Sequence, residues 1–175
     1  MVNGARSAHA RPVLIGGGAV EFYIGGAVAS GDFDVVTGAR AELEQALFGR
    51  GFVRPAVPGS LCRGLVHPGS GMSVAVVSGR LFDGHSDVGR IRIIELASGE
   101  SLNVPPVEDM IADRMGQFNA RAGDDADMLA QALVLYRVSR ENLEIRLDEA
   151  YLHTRIRAET LGDYGSDSLR ETANG

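Results

Sequence analysis

Lysine and tryptophan are absent from the 175 residues, and cysteine occurs once. Without lysine there is no Schiff-base amine, no P-loop lysine and no lysine general base, so all 17 basic residues are arginines. The lone Cys62 excludes an internal disulfide, and no CxxC or Cys/His spacing offers a structural zinc site. On a β-type run, Cys62 reads as a buried, inert small hydrophobe. Positive charge is also scarce. The 23 acidic residues leave a net charge of −6, which argues against broad binding to nucleic acid while allowing a local arginine patch. No apolar run approaches the roughly 20 residues of a membrane span, and the start MVNGARSAHARP is polar, without the core of a signal peptide. These features predict a cytoplasmic protein with no membrane partner.

What is present is a globular composition, 45% hydrophobic and 23% charged. Val13 to Ile15 form a short apolar run stopped by three glycines, which reads as a buried strand running into a tight turn. Ala19 to Ile24 carries helical spacing until Gly25 and Gly26, and Asp32 to Val36 reads as a second strand. A helix is expected over Ala39 to Phe48. Short β-type runs follow at Leu61 to Val66, Met72 to Val77, Ile91 to Leu96 and Leu102 to Val104. Beyond Pro105 the period becomes helical: Val107, Met110, Ile111 and Met115 space one helix, Met128 to Tyr136 a second, and Leu143, Leu147, Ala150 and Tyr151 a third. The fold class is therefore α/β in the α+β sense, with a small mixed sheet flanked by helices and a C-terminal helical bundle. The reading places an α/β core at 12–105 and a helical region packed on it at 106–161. It expects 1–11 and 162–175 to be flexible.

The chemistry gathers at two places fourteen residues apart in this order: the turn Gly16-Gly17-Gly18 after the first strand, and Asp32-Phe33-Asp34 on the second. Side chains two apart on a strand share a face, so both aspartates project together while Phe33 turns into the core. Two neighbouring carboxylates repel unless a cation lies between them, and a hard divalent ion such as Mg²⁺ takes carboxylate oxygens while leaving positions for substrate phosphates. The glycine turn offers backbone N–H groups where a phosphate oxygen would be held. This pairing points to metal-assisted phosphoryl or nucleotidyl transfer. Simpler readings stand beside it. Asp and Gly after Ser30 also start strands from turns for local hydrogen-bonding reasons. A dinucleotide fingerprint is disfavoured, because Glu21 occupies the place of the third glycine.

The segment IGGGAVEFYIGGAVASGDFDVV resembles the nucleotidyltransferase-fold superfamily, whose signature is a glycine-glycine or glycine-serine turn followed by an Asp-x-Asp pair. More narrowly it looks like small bacterial nucleotidyltransferase-like proteins of toxin-antitoxin or abortive-infection type. In those, a GG-x-A-V helix, an S-G-D-x-D strand and an E-D-x-I helix follow in order, and the last matches PPVEDMIADRM here. The resemblance covers roughly Val13 to Tyr136. It implies that Asp32 and Asp34 hold the metals, two Mg²⁺ ions in the usual arrangement, and that Gly16, Gly17 and Gly18 contact the phosphates of a nucleoside triphosphate. It also implies that Ser30 precedes the pair as a small hydroxyl and that Arg114 faces the nucleotide, with Asp113 or Asp109 assisting. The acceptor is left unknown: a small molecule, an RNA end or a protein hydroxyl. Arg114 on a solvated face, paired with Asp113 or Glu108, is the plainer alternative.

The sequence departs from that family at one place. Active members carry a third carboxylate on a neighbouring strand, whereas the matching run Met72-Ser73-Val74-Ala75-Val76-Val77-Ser78 contains no acid, and Ala75 occupies its position. Asp83, Asp87 and Glu95 are the nearest substitutes. Two functions follow as expectations: a Mg²⁺-dependent nucleotidyltransferase, or a catalytically silent relative that binds a nucleotide or a protein partner. Elsewhere, Asp124, Asp125 and Asp127 suit the start of a helix, His9, His67, His85 and His153 share no ligand spacing, and Tyr151 and Leu152 are core candidates. The Arg137 to Glu159 stretch reads as a solvated face, with Arg140/Glu144 and Arg155/Glu159 at pairing distance along a helix.

Overall fold

The computed structural model describes residues 11–25, 29–55, 64–121, 125–142, 144–160 and 166–174. His9, Cys62, Asp124, and the expectations placed on Gly26, Leu61 and Leu143, lie outside them. Among the described residues the chain runs β1 (Val13–Ile15), α1 (Gly16–Gly25), β2 (Asp32–Val36), α2 (Arg40–Phe48), β3 (Leu65–Val66) and β4 (Ser73–Ser78). Two short 3-10 turns at Leu81–Gly84 and Val88–Arg90 lead to β5 (Arg92–Glu95) and β6 (Ser101–Val104). Four helices complete the order: α3 (Val107–Ala120), α4 (Ala126–Glu141), α5 (Glu149–Thr160) and α6 (Ser166–Asn174).

The six strands form one mixed sheet in the order β3-β4-β2-β1-β6-β5. β2 lies near its centre, antiparallel to β1 and parallel to β4. Alternation along β1 and β2 then sorts side chains onto two faces. Leu14 and Phe33 turn to one face and join the main core with Ala19, Val20 and Tyr23 of α1, Met110 and Ile111 of α3, and Leu152 and Ile156 of α5. Val13, Ile15 and Val36 turn to the other, against Leu81, Phe82 and Ile91. Asp32 and Asp34, alternating with Phe33, belong to this second face.

α3 is the helix around which the others assemble, packing on both α4 and α5. Pro106 precedes its first turn, where the fixed proline φ suits a helix start, and the acids Glu108 and Asp109 sit at its positive end. The spacing Val107, Met110, Ile111 and Met115 is fully buried, as the helical period requires.

Three expectations are corrected. α1 begins at Gly16 itself rather than at Ala19, because Gly16 turns the chain out of β1 with φ +66° and the helix starts at once. The third C-terminal helix starts at Glu149, not near Leu143: Arg146 takes a positive φ of 50°, and Asp148 accepts a hydrogen bond from the Tyr151 N–H (3.0 Å) to open α5. Residues 166–174 form α6 instead of a frayed tail, because Leu169 is wholly buried in the main core. Burying that leucine contributes on the order of 1.5–3 kcal/mol, to which Ala173 on the core and the Arg170–Glu149 pair (2.9 Å) add.

Candidate functional site

The glycine turn and the aspartate pair meet in space. Ile15 stands opposite Asp34 across the β1–β2 ladder, so the turn after Ile15 lies at the carboxylate. A Cβ at Gly16 would fall 2.9 Å from Asp34 Oδ2, closer than carbon tolerates, so this position demands glycine for space as well as for its positive φ. Gly17 is exposed with nothing near the place of a Cβ, while Gly18 is buried in α1. Of the three glycines, the first touches the pair, the second is open to solvent and the third packs.

Asp32 is fixed from two sides. Its carboxylate accepts a hydrogen bond from the Ser73 hydroxyl of β4 (2.5 Å), and its N–H points to the Ser30 hydroxyl (3.4 Å). Upstream, the Glu21 carboxylate of α1 accepts from the backbone N–H groups of Ala29 (2.6 Å) and Ser30 (3.0 Å), and these bonds hold Glu21 below the usual carboxylate range. Glu21 thus ties α1 to the start of β2 and sets where Asp32 emerges. Neither Glu21 nor Ser73 stood out in the sequence. The signal for Ser73 was its place on the strand beside the pair; Glu21 carried none.

Asp34 is pushed above the usual range, first by burial and then by the neighbouring charge of Asp32, with the Arg114 guanidinium pulling it back. Two like charges held together, one destabilised by the other, are the electrostatic condition that a bound cation relieves. The oxygen-only donor set suits Mg²⁺. Arg114 is buried, its side chain only 6% exposed, rather than on a solvated face. Its Nη1 reaches Gln117 Oε1 at 3.3 Å, and an Asp113 oxygen stands 3.8 Å from Nη2. Nε and Nη2 have no hydrogen-bond partner among the described residues. Arg114 thus keeps two buried donors without an acceptor while its charge acts on Asp34 and Asp113.

No third acid completes the pair: among the described residues no group of three or more His, Cys, Asp or Glu side chains is placed to hold a metal. Ala75 is the direct register partner of Asp34. Glu95 lies on β5, three strands from β2 and so about 14 Å away at the usual strand spacing. Asp87 is used locally, accepting from the Gly89 N–H (2.9 Å), and Asp83 sits exposed in the first 3-10 turn. Asp113 and Asp109 belong elsewhere. Asp113 pairs with Gln117 (2.9 Å) and is raised chiefly by burial.

Asp109 is the centre of a second polar cluster that the sequence did not announce. Wholly buried, it accepts hydrogen bonds from Arg155 Nε, Ser86 Oγ and Tyr151 Oη, the last at 3.0 Å. Arg155 also bridges Glu159 (2.8 Å), the pairing expected from helical spacing, but it is 2% exposed and not solvated. Arg140, by contrast, lies over the Tyr136 ring, and Glu144 falls outside any helix. Asp125 precedes α4 and meets Arg121 at 2.8 Å, and His85 is exposed in its loop.

No family model matches the chain, and no curated protein matches it. Among the described residues no helix is long and apolar enough to cross a membrane.

Proposed function

We propose that the Asp32–Asp34 face binds a nucleoside triphosphate with Mg²⁺, in the manner of a nucleotidyltransferase. The observation that carries this reading is the close approach of Gly16 to Asp34, which sets the start of α1 directly beside a carboxylate pair. Asp32 and Asp34 would hold the metal, which when bound supplies charge neutralisation and polarises the phosphate. The N–H groups at the start of α1 would meet phosphate oxygens, and the unsatisfied donors of Arg114 would oppose charge growing on the leaving pyrophosphate. In the full reaction the nucleotidyl group passes to a hydroxyl of an acceptor and pyrophosphate leaves.

A second reading, binding of the nucleotide or of a protein partner without transfer, is favoured by Ala75. A carboxylate there would finish the metal site and could take the acceptor proton. Incubation with nucleoside triphosphates labelled at the α-phosphate separates the two. Pyrophosphate release with label passing to an acceptor supports transfer. Saturable Mg²⁺-dependent binding without release in the natural chain, with release appearing in Ala75→Asp, supports the silent reading. No nucleotide binding in either contradicts transfer and the nucleotide-binding form of the silent reading, and leaves only the protein partner.

A further inference from the structure

Beside the aspartates, one step along the same sheet face, the described structure is hollowed. Two adjoining cavities of about 270 and 330 Å³ share four lining residues, Arg11, Val13, Val88 and Ile91. Joined, they fall in the few-hundred-Å³ range of small-molecule sites. The floor is apolar: Val13 and Val36 project from β1 and β2, and Val36 follows Asp34 by two residues, about 6.6 Å along the strand.

The charge of this cleft runs against that of the protein. The chain carries a net −6, yet both cavities are lined by arginine, Arg11 in each and Arg80 in the first, and by no acid. Among the described residues neither guanidinium takes part in an ion pair. The roof is the segment carrying Leu81, Ser86 and Val88, and it is clamped from behind. Ser86 donates to the buried Asp109, the Asp87 N–H donates to Tyr151 Oη (3.0 Å), and Arg90 pairs with Asp148 (2.9 Å). The cleft is therefore held open without a ligand, and little ordering is left for a ligand to impose.

We propose that this cleft binds a small amphipathic anion, an aliphatic or single-ring body bearing one carboxylate or phosphate group. The body rests on Val13, Val36 and Ile91, and Arg11 and Arg80 meet the charge. The site stands on its own geometry and does not rest on the nucleotide reading.

Calorimetric titration of the full chain at neutral pH tests it with three probes of one chain length: octanoate, octyl phosphate and octan-1-ol. At least one anion binds at one per chain, and the alcohol binds at least about tenfold more weakly, as expected when charge-assisted hydrogen bonds are lost. The tighter of the two anions identifies the head group. Arg11→Ala with Arg80→Ala, both exposed side chains, removes the preference for the anion over the alcohol. Val88→Trp, which fills the cleft from a position 38% exposed, abolishes binding. Asp32→Ala with Asp34→Ala leaves anion binding in place, so failure here and failure of the nucleotide reading are separately visible. Absence of binding by both anions, or an anion preference undiminished in the arginine double variant, overturns the proposal. If Val88→Trp does not melt cooperatively, the arginine variant carries the test alone.

Discussion

Ala75 of β4 stands directly beside Asp34 of β2, in register and on the same face of the sheet. Asp32 is likewise beside Ser73, and bonds to it. The β4 side of the pair is thus a methyl and a hydroxyl. Ala75→Asp places a third carboxylate against Asp34, so without metal it costs about 1 kcal/mol by like-charge repulsion across the strands. With Mg²⁺ that cost is reversed. Melting temperatures with and without Mg²⁺ check this: the ion raises the melting point of Ala75→Asp more than that of the natural chain. Equal shifts would mean that position 75 does not reach a shared metal.

Gly16→Ala tests the contact between turn and pair. Alanine at a φ of +66° costs about 1–2 kcal/mol from backbone strain alone, and its methyl displaces Asp34 Oδ2. Urea denaturation reads the stability loss, and Mg²⁺-nucleotide titration reads a loss of affinity larger than that seen for Gly17→Ala, where the added methyl meets open space.

Much of this architecture was legible because local signals agreed with one another. The run Val13–Ile15 followed by glycines, the alternation in Asp32–Val36 and the four-residue periodicity of α3 each name one element and one buried face. The misreadings have physical causes. Leu147 keeps helical spacing with Ala150 and Tyr151 although it precedes α5, because spacing does not register the positive φ of Arg146. Asp148 before Glu149 was the signal for the true start of α5. α6 is anchored by Leu169 and Ala173 on the main core and by Arg170 to Glu149 (2.9 Å), long-range contacts that a polar segment conceals. Arg155 and Asp109 look like surface charges because nothing local marks a charged residue as buried; only their meeting across 46 residues does.

That buried pair makes a prediction about stability. Asp109→Ala leaves the buried Arg155 with Glu159 alone and frees Ser86 and Tyr151, at a cost of up to about 3–5 kcal/mol. Arg155→Leu carries a similar cost from the uncompensated Asp109. The double variant loses clearly less than the sum, since each change removes the reason for the other's penalty. Urea midpoints of the four proteins close the cycle; strict additivity would contradict the described network.

Tyr23 sets the alkaline limit. Its hydroxyl donates to the Pro105 carbonyl (2.5 Å) in a buried position, and burial pushes its pKa up to about 12 from an ordinary value of 10.0. Between these values the unfolded chain releases the phenolic proton while the folded chain retains it. The folded state then binds more protons, and stability falls as pH rises from about 10 towards 12. Tyr23→Phe, less stable near neutrality by about 1–2 kcal/mol through its lost hydrogen bond, declines less steeply over that window. Denaturant midpoints at pH 8 to 11 decide it; parallel declines would contradict the burial of Tyr23.

The central claim is that Asp32 and Asp34 form a site for Mg²⁺ and a nucleotide. The direct measurement is the melting temperature with each nucleoside triphosphate, with and without Mg²⁺, for the natural chain and for Asp32→Ala with Asp34→Ala. At about 100 times the dissociation constant a bound nucleotide adds about 2.7 kcal/mol, a shift of several degrees. The account predicts a shift that needs Mg²⁺ and disappears in the double variant. No shift with any nucleotide, or a shift that survives the loss of both carboxylates, would contradict it.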